Sequence, residues 1–312
     1  MRLLLRLILP LAAVGLLSTG CEQPITSPRL DFIAVNNTLT NDRVASAADT
    51  FEVRAFAETL EGDPQLRRFT VTAKEVYFES RSIPNQGETR DPLVYFDTVF
   101  SAGNAPRSFL FVNRFGASTN SGRQTWTYTV TDADGNKASR GYRLTVRQAD
   151  SLNAVHSYSV RLQAPRRSNS RASLAALRGF VLPPHATRQP DYQQLADLLY
   201  LPGSTGPRLG APSSYAARTH PVLRTKFWQT RRATRLALTG LTQSEFTSIS
   251  TAEALSDAVT AAALLPDTAV AAPRGRVLAF RTADGSDGLV YVNSLGPTAP
   301  VDLILDVKVR RR

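Results

Sequence analysis

Apolar and polar residues alternate one for one over two neighbouring stretches of this chain, and that period specifies β-strand. Over 125–131, Trp126, Tyr128 and Val130 alternate with threonines. Over 139–146, Tyr142, Leu144 and Val146 alternate with Arg143 and Thr145. Successive side chains of a strand point to opposite faces, so this spacing gives one face to a core and the other to solvent. The linker at 132–137 contains Asp134-Gly135, which reaches positive φ cheaply and suits a hairpin. Similar runs recur at 30–35, 51–56, 69–78, 93–100 and 109–112, with no convincing helix among them. Seven short strands with turn signals between them predict a two-sheet sandwich over 29–149.

Residues 128–136, Tyr-Thr-Val-Thr-Asp-Ala-Asp-Gly-Asn, resemble the closing hairpin of bacterial immunoglobulin-like and PKD-like modules of surface proteins. The resemblance implies an immunoglobulin-like β-sandwich and is nearly silent on function, because sandwiches host many roles. Asp132, Asp134 and Asn136 have the one-three-five spacing of an EF-hand calcium loop. In such a loop the glycine follows the third ligand, whereas Gly135 precedes Asn136, and no glutamate supplies the bidentate ligand. A plain turn is the expectation, with no metal. Trp126 is expected in the core.

The chain start is of another kind. Arg2 and Arg6 precede an apolar run to Leu17, then come small residues and Cys21, the only cysteine. A charged start, an apolar stretch and small residues at a junction make a signal peptide over 1–20. The apolar run is shorter than the roughly 18 residues that read as a spanning helix. Leu17-Ser18-Thr19-Gly20-Cys21 resembles a bacterial lipobox, although Ser18 stands where the large apolar residue is usual. The resemblance implies cleavage before Cys21, lipid (palmitate among the acyl chains) on that cysteine, and anchoring to a membrane. More than one chain is what stable anchoring takes. Residues 21–28 read as a polar, proline-bearing tether. The compartment implied is the cell envelope, at the outer membrane in preference to the inner, facing periplasm or cell surface.

Residues 154–312 read as an α+β domain. Residues 156–162 alternate as a strand, 164–177 read as a loop or short helix, and 191–201 fit either a helix or a buried strand at Leu198–Leu201. Residues 202–221 are rich in Pro, Gly and Ser and predict a long loop. Thr242-Gln-Ser-Glu245 and Ser250-Thr-Ala-Glu253 fit the capping box, the second opening an alanine-rich helix over 251–265 that stops at Pro266. Strands at 276–282, 288–293 and 301–309 predict a closing three-stranded β-meander. This half loosely resembles a C-terminal module of exported Bacteroidetes lipoproteins, a module of unknown function. The fold class is therefore mainly β: an immunoglobulin-like sandwich, then a small-helix α+β domain ending in the meander.

Charge separates the halves. Residues 22–150 carry 15 basic and 16 acidic residues, and residues 151–312 carry 20 and 10, so nearly all of the net +11 lies in the second half. A basic domain suits anionic lipid, acidic glycan or nucleic acid; the exported compartment excludes nucleic acid as a working partner, and genome-wide arginine bias accounts for much of the excess. The densest patch is Arg224, Lys226, Phe227, Trp228, Arg231, Arg232 and Arg235. Cations interleaved with aromatics can hold an acidic glycan or lipid headgroup by charge and cation–π contact. The plainer reading puts the aromatics in a core and the arginines on the surface. His156, His185 and His220 have no metal-ligand spacing, and no nucleophile elbow or phosphate loop is present. The expectation is a non-enzymatic binding, adhesion or structural module without cofactor, its partner an acidic glycan, lipid or another envelope protein. The alternative is a glycan-directed envelope hydrolase with its site in the second half.

Overall fold

A computed structural model describes residues 27–36, 38–77, 91–147, 153–296 and 301–311. The signal segment, Cys21 and most of the tether lie outside the described residues. The strands of the first half are β1 (Arg29–Phe32), β2 (Arg43–Ala45), β3 (Thr50–Glu58), β4 (Leu66–Tyr77), β5 (Leu93–Val99), β6 (Ser108–Gly116), β7 (Gly122–Asp132) and β8 (Lys137–Val146). They form two sheets, β1-β3-β6 and β2-β8-β7-β4-β5. All pairings are antiparallel except β2 with β8. Every strand read from alternation is present. β2, three residues long, is the addition, and three residues are too few to show a period.

The two sheets face each other across one apolar core. Val53, Ala55 and Phe115 come from one, and Phe69, Val71 and Trp126 from the other. Trp126 is fully buried, with its ring edge-on to Tyr95 at 4.8 Å between centroids. A polar thread crosses this core on Asn113. Tyr95 donates its hydroxyl to Asn113 Oδ1 at 3.1 Å, and Asn113 Nδ2 donates to the Tyr128 hydroxyl at 3.2 Å. The Tyr128 and Tyr142 hydroxyls meet at 3.2 Å. Burial raises the Tyr128 phenol to about 12, so these groups stay neutral donors. At the β7–β8 turn Asp132 Oδ1 accepts from the backbone N–H of Asp134 at 3.0 Å and of Asn136 at 2.8 Å. That carboxylate is spent on turn geometry, and Gly135 sits at φ +90°. Among the described residues no group of three acidic, His or Cys side chains is placed to hold a metal.

The second half is richer in strand than its sequence suggests. Its strands are β9 (Val155–Leu162), β10 (Ser173–Ala175), β11 (Phe180–Leu182), β12 (Leu198–Gly203), β13 (Gly206–Gly210), β14 (Arg235–Leu238), β15 (Ala269–Ala271), β16 (Val277–Arg281), β17 (Asp287–Leu295) and β18 (Leu303–Arg310). One sheet runs β11-β10-β12-β13-β15 and the other β14-β16-β17-β18-β9. The meander β16–β18 is thus the middle of a sheet, with β14 and β9 at its edges. The proline- and glycine-rich 202–221 stretch is not one long loop. It holds the end of β12, all of β13 and the helix Tyr215–Thr219. Glycines at both ends of the β12–β13 turn hide the hairpin from a propensity reading. Leu198–Leu201 is strand, and 164–177 contains β10.

Leu174, Leu198, Tyr200 and Leu209 of one sheet pack against Val160, Phe280, Val290 and Val307 of the other. The outer face of the meander is covered by the helices Gln243–Ser248 and Ala252–Thr260, through Phe246, Leu255 and Val259. The first helix has the full capping box, with Glu245 Oε2 accepting from the Thr242 N–H at 2.7 Å. The second is capped by Thr251, one residue later than expected, and ends at Thr260, short of Pro266. Beyond Thr260 the chain leaves the helix, and Ala262 and Leu264 still pack on the same cluster.

The halves share a core. Phe180, Leu182, Ala186 and Tyr192 belong to the apolar cluster of the first sandwich. His185 stands against Tyr95, Phe96 and Phe111, with ring centroids 5.3 to 5.7 Å apart. Its Nδ1–H donates to the Ser168 carbonyl at 3.0 Å, since a carbonyl only accepts, and Nε2 is buried without a partner. Burial therefore pushes the imidazole pKa down to about 4, against roughly 6.5 in an unfolded chain. Between these two values the unfolded state binds the proton and the folded state refuses it, so stability present at neutral pH is lost as pH falls. Full titration of this one group corresponds to about 3 kcal/mol. Urea unfolding of His185→Phe at pH 7 and pH 4.5 should show a smaller acid loss than the parent chain. An equal loss would remove His185 as its source.

Candidate functional site

The structure splits the sequence patch into parts with different roles. Trp228 is buried with Leu199, Leu201 and Leu223 in a small apolar cluster. Arg232 is an internal counter-ion. Its Nε meets Asp197 at 2.8 Å and its Nη2 meets Asp284 at 2.5 Å, with the Arg232 side chain 12% and Asp197 5% exposed. Burial pushes the Asp197 carboxyl up, and Arg232 with the Ala176 N–H opposes that. Arg231 is exposed and donates back to the Trp228 carbonyl at 2.9 Å. Arg235 is exposed on the edge strand β14.

What remains as surface is a compact cluster on one short turn. Phe227 is 65% exposed. The Lys226 ammonium lies 4.9 Å and the Arg224 guanidinium 5.1 Å from its ring centroid. Arg224 holds φ +50°, a left-handed conformation uncommon outside glycine. The helix Tyr215–Thr219 packs on this turn and brings exposed Tyr215 and Arg218. Cations held over an exposed ring can meet an anionic group while the ring stacks on an apolar face. Neither Tyr215 nor Arg218 stands out in sequence, because only the packing of the helix on the turn brings them there.

A second basic region lies at the seam between the two halves. Arg171, 8% exposed, lines a half-open hollow of about 230 Å³ with Ala48, Ala117, Val160, Val181 and Ile304. Beside it is a polar hollow of about 280 Å³ lined by Arg114, Gln163, Arg166, Arg167, Asn169 and Asp302. Arg161 of the first hollow and Asp302 of the second are paired at 2.6 Å. The seam is further held by a donor chain. Arg311 donates to His156 Nδ1 at 2.6 Å, which leaves His156 Nε2 to donate to Thr119 Oγ1 at 2.6 Å. Thr119 then donates to the Arg178 carbonyl at 3.1 Å. Gly179 follows with φ +55°, and a Cβ there would lie 1.9 Å from Thr119 Oγ1.

Arg232→Ala would leave Asp197 buried without its cation, which costs about 3–5 kcal/mol. Arg231→Ala removes only an exposed group and should stay within about 0.5 kcal/mol. Denaturant unfolding of the two single variants checks the split; equal effects would mean that Arg232 is not the internal counter-ion described.

No protein-family model matches the chain, and no curated protein does. Among solved structures the chain is similar to a DUF4466 family protein from Parabacteroides merdae, at 10% identity and a TM-score of 0.33, over 93% of this chain and 100% of that one. It is also similar to murine CRIg, at 14% identity and a TM-score of 0.22, over 39% of this chain and 100% of that one. A third likeness is to the sporulation control protein Spo0M from Bacillus subtilis, at 12% identity and a TM-score of 0.26, over 59% and 78% of the two chains. At these scores none of the three assigns a function.

Proposed function

We propose that this chain is a lipid-anchored envelope protein whose working surface is a non-enzymatic binding module for an acidic glycan. The observation that carries the binding reading is the exposed Phe227 with Arg224 and Lys226 over its ring. A sugar ring offers an apolar face for the phenyl group, and its carboxylate or sulfate meets the two cations. Arg224 supports this further, since a left-handed conformation at a non-glycine residue is strain that functional sites often hold. The charge converging on both open regions is mainly cationic, and Asp302 at the seam is held by Arg161. The buried acids of the second half are committed elsewhere, Asp197 to Arg232 and Asp287 to Arg281 and Ser256. This favours binding over a paired-carboxylate hydrolase.

The first sandwich serves in this reading as an immunoglobulin-like spacer. Strand order supports it: β1, β3 and β6 share one sheet, and β2, β8, β7, β4 and β5 share the other in that order. The anchor is Cys21, lipidated after loss of residues 1–20, with the acyl chains holding the chain at the envelope membrane. Intact mass of membrane-extracted protein should show the mature chain plus acyl groups, and Cys21→Ala should show none. An unmodified mature chain in the soluble fraction would end the tethered reading.

The binding surface is tested on a column of immobilised polysulfated glycan. Glycine suits the Arg224 backbone, so Arg224→Gly with Lys226→Ala removes two charges without straining the turn. This variant should elute at clearly lower salt than Lys137→Ala/Arg143→Ala, which removes two exposed charges from the first sandwich. Equal elution of the two variants would reduce the interaction to overall charge and sink the site.

A further inference from the structure

Among the described residues the buried cations have partners, with one exception. Arg178 meets Glu75 at 2.7 Å, Arg232 meets Asp197 at 2.8 Å, and Arg311 meets Asn120 Oδ1 at 2.9 Å. Arg171 is as buried as these, yet its guanidinium has no hydrogen-bond acceptor among the described residues; only its backbone bonds, to Gln163. Arg161 and Arg114 add like charge nearby, and Asp302, the acid in range, is already held by Arg161. A guanidinium stays protonated and presents five N–H donors; those of Arg171, without a protein acceptor among the described residues, are not sealed off but reach solvent. Arg171 lines the hollow at the seam, whose other walls join the apolar side chains of Ala48, Ala117, Val160, Val181 and Ile304 to the polar Thr50, Ser159 and Arg161.

We propose that this seam hollow is a binding site for a small monocarboxylate with a short apolar stem, its carboxylate received by Arg171. The two halves of the site select the two halves of the ligand. A guanidinium and a carboxylate match in planar, bidentate geometry, which satisfies the buried cation. An inorganic anion would satisfy the charge but leave the apolar walls against water. An uncharged hydrocarbon would fill the walls and leave Arg171 buried without an acceptor. The hollow, of about 230 Å³, has room for a short stem such as that of hexanoate. The Arg161–Asp302 pair stands between it and the neighbouring polar hollow. Because strands of both sandwiches wall the site, a bound ligand also stabilises their junction. The proposal stands on different residues from the Phe227 surface, and either can fail without the other.

The test is thermal unfolding of the full mature chain with millimolar sodium hexanoate, against 1-hexanol and sodium chloride at matched concentrations. Hexanoate should raise Tm by at least about 2 °C, as expected for a ligand well above its Kd that binds only the folded state. Hexanol and chloride should not. Arg171→Met, which replaces this cation by an apolar chain of similar length, should abolish the hexanoate shift. Val181→Phe, which fills the hollow and keeps the charge, should abolish it too, and decides the matter should Arg171→Met fail to fold. No shift with hexanoate, an equal shift with hexanol, or a shift that survives these substitutions would overturn the proposal.

Discussion

The junction of the two sandwiches rests on one short segment that belongs by sequence to the second half and by packing to the first. Phe180, Leu182, Ala186 and Tyr192 are buried in the first core, and His185 lies among Tyr95, Phe96 and Phe111. Removing these aromatic and aliphatic groups from water is the main favourable term there. It forces the polar backbone on either side to find partners at the same junction. Val94 N–H reaches Asp191 at 3.0 Å, and the Arg178 carbonyl accepts from the Ser118 hydroxyl at 3.0 Å. The first core is thus incomplete without this segment of the second half.

That arrangement determines where charge ends up. Where the two sandwiches meet, the arginines between them lose water and must find acceptors. Glu75 answers Arg178, and Asn120 and His156 answer Arg311. The Arg171 guanidinium is left facing a hollow. The basic excess of the second half therefore has three destinations: internal counter-ions, solvated surface, and cations that line the two open regions. Net charge alone cannot separate them, because each pairing depends on geometry reached only after folding.

Local patterns were legible in the sequence where the physics is local. The β7 and β8 alternation, the Asp132 turn and the Thr242–Glu245 cap each involve residues within a few positions of one another. The strands that escaped notice are β2, β10, β13, β14 and β15, all three to five residues long, some bracketed by glycine or proline. Such strands owe their existence to a neighbour's hydrogen bonds and carry too few side chains to show a period. Among the patch residues, nothing local distinguished Arg232 from Arg231, although one is an internal counter-ion and the other exposed.

The sequence by itself determined a mainly β chain, the inward faces of its long strands, the closing hairpin and the helix caps, because periodicity and capping act over one or two turns of chain. Only the tertiary structure decided which arginines are structural and which are free to meet a ligand. The acceptor for Arg232 comes from 35 residues away and the acceptor for Arg178 from 103. No short-range pattern encodes an ion pair over that separation; the packing of the sheets brings the partners together, or, at Arg171, leaves the place of one open.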